Sequence, residues 1–370
     1  MQGMRAAALV NSPGGDHSRA GAAILRGLAV LLAAACMSAE AANYNFPSSP
    51  PPGCNGSAGS YTCGALTLAP GDTLTVSVRT SIIVNGALTT GAASRINYGG
   101  VASDLSIAVM GTTDLGPTSS VTANLIGTGV VTMGALGRFN GDIQTQSAAI
   151  NIGDLSVVNG SLQTTVAGVV NVGANSHVTG SINTLSGAVN IGANSQVDGS
   201  IASSLAGVIT LGAGAVVGGN LTTMSGAINL GAQSNVVGFL LSTLAGAITI
   251  GDNAKVGGGI GTQSGAITIG TGSSAGGSVC TGLAGAVTLN DRSSVGGNIS
   301  TNAGAITVGD GSKVKGAVNA VVGAVTVASS AKVGAVANNQ ACPLAVADLA
   351  KAAPVIPVIK SREWRQIFMR

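Results

Sequence analysis

The sequence predicts an all-β protein, a single-stranded parallel β-helix, on three observations. A motif such as Ser186-Gly187-Ala188-Val189-Asn190-Ile191-Gly192 returns every 19 or 20 residues from Gly129 to about Val336. Within each return, apolar residues, mostly β-branched, stand two apart, as they do on one side of a strand. A glycine then recurs at a fixed later offset, where a corner needs permissive backbone angles. Self-similarity at a short fixed period marks a solenoid, in which each repeat buries its apolar face against its neighbours.

Eleven returns are anchored at Gly129, Ala148, Gly168, Gly187, Gly207, Gly226, Gly246, Gly265, Gly285, Gly304 and Gly323. Four columns are expected to point inward. They run from Val131 to Val325, Met133 to Val327, Phe139 to Val333 and Ile143 to Val318. Between the first two, a Thr/Asn column from Thr132 through Asn190 to Thr326 faces outward, suited to side-chain ladders that set register. A second hydroxyl column, Thr145, Thr164, Thr184 and Ser203 through Thr301, could join it as a regular surface of the ice-binding kind. The corner glycines run from Gly141 to Gly316. Longer coils each hold an extra apolar residue, Val166, Leu205, Leu244 and Leu283, spaced 39 apart. Packing inside a corner is the expected role, with an exposed stripe as the alternative.

Composition agrees and narrows the function classes. With 58 Gly, 45% apolar and 8% charged residues in 370, the chain is neither an ordinary globular enzyme nor disordered. Only 2% of residues are aromatic, too few for a groove that stacks bases or sugars. The net charge of +3 collects in the tail, where Lys351, Lys360, Arg362, Arg365 and Arg370 face only Glu363. The repeats supply no basic face, so nucleic acid is not an expected partner.

Taken in order, residues 1–41 read as an export signal. Arg19 and Arg26 precede an apolar run from Leu28 to Ala35, and Ala39-Glu40-Ala41 offers the small residues a signal peptidase needs. Cleavage would leave a chain starting at Ala42 with no transmembrane segment. Ala33-Ala34-Ala35-Cys36 is an alternative, lipoprotein-like site, and a start downstream of Met1 is another reading. Export makes disulfides the expected use of Cys54, Cys63, Cys280 and Cys342. Cys54 with Cys63 and Cys280 with Cys342 is the preferred pairing among the three that four cysteines permit.

Residues 42–128 form a head in which Pro47–Pro52 cannot be regular sheet and Ala65–Leu68, Thr73–Val78 and Leu105–Val109 read as strands. They are expected to be irregular opening coils that cap the first repeat. Residues 129–336 are the β-helix proper. In the stretch 337–370, Ala345–Ala352 and Ser361–Arg370 read as short helices, with Trp364, Arg365, Ile367 and Phe368 as a cap or a docking face.

Signals for chemistry are weak. Asp154, Asp252, Asp291 and Asp310 share a turn, with Asp252–Lys255 and Asp310–Lys313 as exposed turn pairs. His177 sits in an outward column without a visible triad partner. No phosphate loop or metal-ligand spacing occurs, so no cofactor, metal or catalytic residue is expected.

The phrase Ile209-Thr210-Leu211-Gly212-Ala213-Gly214-Ala215-Val216-Val217-Gly218-Gly219-Asn220-Leu221 resembles the coil signature of bactofilins, polymer-forming β-helical proteins of bacteria. The resemblance covers 129–336 and implies self-association through coil ends. The opening Tyr44-Asn45-Phe46-Pro47, with Pro51-Pro52-Gly53-Cys54 and Tyr61-Thr62-Cys63, is similar to exported proteins of MSHA (mannose-sensitive haemagglutinin) type IV pilus biogenesis. It implies a Gram-negative cell-surface setting, in the periplasm, on the outer surface or secreted, with envelope or pilus proteins as partners. The expectation is therefore an exported, non-enzymatic structural or adhesion-related rod. A binder of ice or polysaccharide is the competing reading, and a polysaccharide-cleaving enzyme ranks below it.

Overall fold

The computed structural model describes residues 40–336. The chain divides into two units, Met1–Ala41 and Ala42–Arg370, and the β-helix lies in the second. The coil anchored at Gly187 shows its plan. Three short strands, Val189–Ile191, Gln196–Val197 and Ile201–Ser203, follow one another around the coil. Each pairs in parallel with its counterparts in the coils before and after. Val189 lies between Val170 and Ile209, Val197 between Val178 and Val217, and Ile201 between Ile182 and Leu221. The solenoid thus has three faces, here called first, second and third in chain order.

Fourteen strands stack on the first face, from Leu66–Leu68 to Val325–Val327. At ~4.8 Å per strand the stack is about 60 Å long. Eleven of these strands come from the repeats. The other three come from the head through the register Leu66↔Leu88, Leu88↔Thr113 and Thr113↔Val131. The head is therefore solenoid too, with coils of uneven length, and the regular period covers only part of the stack.

The four inward columns are placed as the period predicts. Val131 to Ile306, Phe139 to Val314 and Ile143 to Val318 are buried at 3% exposure or less, and Met133 to Val308 at 4% or less. The expectation for the corner glycines needs correction. Among the corner glycines only Gly141 has a strongly positive φ, at 131°. The others are small for a steric reason: a Cβ on Gly199 would stand 2.7 Å from the Gly180 carbonyl oxygen of the preceding coil. The left-handed backbone lies instead at the turn seven residues past each of the first ten anchors, at Leu136, Leu155, Asn175, Asn194, Gly214, Gln233, Asn253, Gly272, Arg292 and Gly311. Asn and Gly suit that conformation; Leu does not. Leu155, with φ of 57° and 53% exposed, gains little burial in return. Leu155→Asn is expected to raise stability by about 1 kcal/mol, read as a higher guanidinium midpoint. A lower midpoint would show that the leucine makes contacts worth more than the strain.

A serine ladder stands at the residue after this turn, eight past the anchor. Ser156, Ser176, Ser195, Ser234, Ser273, Ser293 and Ser312 are at most 2% exposed. Ser195 Oγ donates to the Gly173 carbonyl at 2.7 Å and accepts the Ser176 N–H at 3.1 Å, tying two coils together. Buried hydroxyls need such partners, and here the stacking supplies them.

The opening of the stack is capped. Strands Cys54–Ser57 and Ser60–Cys63 form an antiparallel hairpin, closed by the Cys54–Cys63 disulfide. Tyr61 on this hairpin packs against Phe46 with ring centroids 4.4 Å apart. Asn45 and Ser49 exchange two backbone hydrogen bonds at the free edge of Asn43–Phe46. The proline stretch thus closes a strand edge that would otherwise invite pairing.

Candidate functional site

With the interior filled by apolar side chains, any ligand chemistry lies on the outer faces. A groove of about 760 Å³ lies on the second face of the last described coils. Stacking builds it from residues distant in sequence. The register Lys255↔Ser274↔Ser294↔Lys313↔Lys332 runs along it, one residue per coil. Lys315 stands beside this row, and Gly257, Gly276 and Gly296 leave its edge low. All four lysines are exposed, and no carboxylate is among the described lining residues. The repeats therefore do present a local basic face. Lys255, Lys313 and Lys332 each stand nine residues past an anchor, so the column is legible in the sequence; a charge summed over all the repeats hides the cluster.

His177 and Asp198 meet across adjacent coils of the same face, with Nε2 2.9 Å from Oδ2. This corrects the expectation that His177 lacks a partner. Gln196 Nε2 donates to the other Asp198 oxygen at 2.6 Å. The Asp198 carboxyl lies below its ordinary value. Partial desolvation pushes it up, but the hydrogen bonds from Gln196 and His177 and the imidazolium charge outweigh it. The side chains are 38% and 40% exposed, so solvent screens the pair. A depressed carboxyl contributes stability that is present above its unfolded value and lost as pH falls through the folded one. Below about pH 4 the protein is thus expected to lose a few tenths of a kcal/mol through this group. Comparing wild type with Asp198→Asn in pH-dependent denaturant unfolding checks this; parallel curves would remove the assignment.

The turn aspartates do different work from that expected. No Asp252–Lys255 or Asp310–Lys313 ion pair forms among the described residues, where His177–Asp198 is the only one. Asp154, Asp252 and Asp291 instead accept backbone N–H groups of Ala174, Thr271 and Asp310 in the next coil, at 2.8–2.9 Å. They are clips between coils.

The hydroxyl columns also divide. In the Thr/Asn column, Asn190 donates to Asn171 and Asn171 to Asn151, each at 2.8 Å, forming the outward ladder expected. The second column is inward. Thr145, Thr164, Thr184 and Ser203 are at most 2% exposed, and Thr184 Oγ1 donates to the Gly187 carbonyl at the corner. An ice-binding surface loses that rank. The extra apolar residues are likewise corrected: Val166, Leu205, Leu244 and Leu283 are 42–56% exposed, a stripe on the outside rather than corner filling.

On the third face the middle residue of each strand points away from the core. Gln144, Gln163 and Asn183 are half-buried there, whereas Ala202, Thr222, Leu241, Cys280, Ser300 and Asn319 are at most 6% exposed. That part of the face is not free surface. Cys280 is disulfide-bonded. Cys342, its expected partner, lies outside the described residues, as do the apolar run 28–35, Cys36, the two tail helices and Trp364, Arg365, Ile367 and Phe368. Among the described residues no cluster of three or more His, Cys, Asp or Glu could hold a metal, and no helix is long and apolar enough to cross a membrane. Comparisons with protein-family models, with curated proteins and with solved structures find no match to this chain.

Proposed function

We propose that this chain is a non-enzymatic rod of the bacterial cell envelope, exported, freed of residues 1–41, and working through side-on contacts of its outer faces. The observation that carries the reading is the apolar stripe. Four branched aliphatic side chains stand in water at two-coil intervals, about 10 Å apart, on a scaffold that otherwise buries its core columns. A continuous hydrogen-bonded stack holds their spacing rigid, which suits a contact surface. The turn aspartates and the hydroxyls that could have served chemistry are engaged in holding coils together. The likeness of 209–221 to bactofilin coils and of the head to pilus-biogenesis proteins supports assembly or adhesion rather than catalysis.

The head argues against unlimited stacking. The first coil is capped by the hairpin and the proline stretch, so growth through that end is blocked. The test is sedimentation velocity and negative-stain microscopy of the protein starting at Ala42, beside a variant with Val166→Ser, Leu205→Ser, Leu244→Ser and Leu283→Ser. Lateral pairs or sheets of rods are expected for the wild type and lone rods for the variant. Long end-to-end filaments insensitive to the four substitutions would overturn the side-on reading.

The lysine groove favours one second reading, a binder of carboxylate-bearing polysaccharide. Its single row of cations at coil spacing suits an extended polyanion held by salt-dependent contacts. Retention on immobilised polygalacturonate, lost with Lys313→Ala and Lys332→Ala, would promote it above the first. Equal retention of wild type and variant would remove it.

A further inference from the structure

The β-helix begins with a backbone nitrogen set against a buried carboxylate. Ala42 N donates to Asp72 Oδ1 at 2.7 Å, and the Ala42 carbonyl accepts the Thr73 N–H at 2.8 Å. Asp72 is only 4% exposed. Its other oxygen accepts the Ala69 N–H, also at 2.7 Å. No Lys, Arg or His among the described residues forms an ion pair with it. A carboxylate removed from water with two amide donors and no countercharge is a costly arrangement. Immediately before Ala42 the surroundings change: Glu40 and Ala41 are exposed, and the boundary between the two units of the chain falls between Ala41 and Ala42.

We propose that Asp72 is the receptor for the α-ammonium group released when the chain is cut between Ala41 and Ala42. The proposal rests on the export reading above. In that cleavage the Ala41 C–Ala42 N bond breaks and water adds across it. Hydroxyl goes to the Ala41 carbonyl carbon, which leaves as a carboxylate, and hydrogen goes to the Ala42 nitrogen. Taking up the proton released by the new acid makes that nitrogen an ammonium, at the place where it already contacts Oδ1. The neutral amide donor becomes a cation with three N–H groups, and the lone buried carboxylate gains its countercharge without movement of either strand. Charge-assisted bonds of this kind are roughly twice as strong as neutral ones.

The consequence falls on the cap. Among the described residues Asn43–Phe46 pairs as a strand only with Thr73–Val76, whose first residue follows Asp72. In the uncut chain a neutral bond fastens the start of this strand; in the cut chain an ion pair does. Processing therefore tightens the end of the stack, so that the rod is fully capped only after its leader has gone.

Two measurements test this. N-terminal sequencing of the exported protein should start at Ala42; another start would overturn both the cleavage site and the assignment. Then protein with a free α-amino group at Ala42 is compared with protein acetylated there, each with Asp72 and with Asp72→Asn, by guanidinium unfolding. With Asp72 in place, acetylation is expected to lower the unfolding free energy by about 1.4 kcal/mol, a tenfold change in equilibrium constant. In the Asp72→Asn protein it is expected to change that constant less than about twofold. Equal effects in the two backgrounds would overturn the role of Asp72 and leave the export reading standing. Should Asp72→Asn not fold, amide exchange of Asn43–Phe46 in the Asp72 protein decides the matter. About tenfold faster exchange after acetylation supports the ion pair, and unchanged exchange overturns it.

Discussion

Gly187→Ala is expected to destabilise the β-helix by about 3 kcal/mol, despite being the smallest change available at that position. The new methyl carbon would stand 2.5 Å from the Gly168 carbonyl carbon and closer still to its oxygen. That carbonyl belongs to the backbone of the preceding coil, so relief requires the two coils to part. Parting them stretches the ladder bonds on either side, including Val189 N–H to the Val208 carbonyl and Val170 N–H to the Ala188 carbonyl. Because each coil touches only its neighbours, the damage should be local. Hydrogen exchange is expected to speed up around residues 165–210 and to stay slow near the disulfide-closed cap. Gly64→Ala is the control: nothing lies within 4 Å of its added carbon, and its stability should be unchanged. Equal effects of the two substitutions, by denaturant midpoint, would show that the coils are not in close backbone contact.

Phe139→Ala is expected to cost about 3–5 kcal/mol. Phe139 is fully buried, stacked between Val121 and Val158 where the column otherwise carries Val or Ala. Removing its ring leaves a void that the neighbouring β-branched side chains cannot fill, because their χ1 angles are held by the strands. Phe139→Val, the residue used by the coils around it, should lose about half as much. Thermal melts of the two variants measure the difference. An Ala variant as stable as wild type would mean that the stack collapses freely around the void, contrary to the fixed spacing of its ladders.

Several errors made from sequence share one cause. The alternation that correctly placed Val189 and Ile191 inward should also have placed Thr184 inward, since it stands two residues after Ile182 on the same strand. Hydroxyls were read as surface, although a corner carbonyl can satisfy them in the interior. The corner glycines were credited with unusual angles because angle preference is a property of one residue. Close approach to the coil before is a property of two residues 19 or 20 apart. Leu205 was expected inside because apolar residues usually are, yet its position in the long coil turns it to water at 42% exposure.

Local sequence was enough to specify the architecture, the period, the four inward columns, the Cys54–Cys63 pair and the cap at the head. Those features are written in alternation, in repetition and in a short loop between two cysteines, so each can be read without knowing how coils meet. How charged groups from different positions around the coils meet was decided by the folded chain. Stacking gathered Lys255, Lys313, Lys315 and Lys332 into one groove, set His177 on Asp198, and brought the Ala42 nitrogen to Asp72 across a 30-residue gap. Each of these contacts joins different coils. Its register depends on the summed lengths of every turn between them, and 18-, 19-, 20-, 22- and 25-residue coils add up differently along the stack. A one-residue change in any coil would move a side chain to the opposite face, which is why the candidate sites appear only when the coils are stacked.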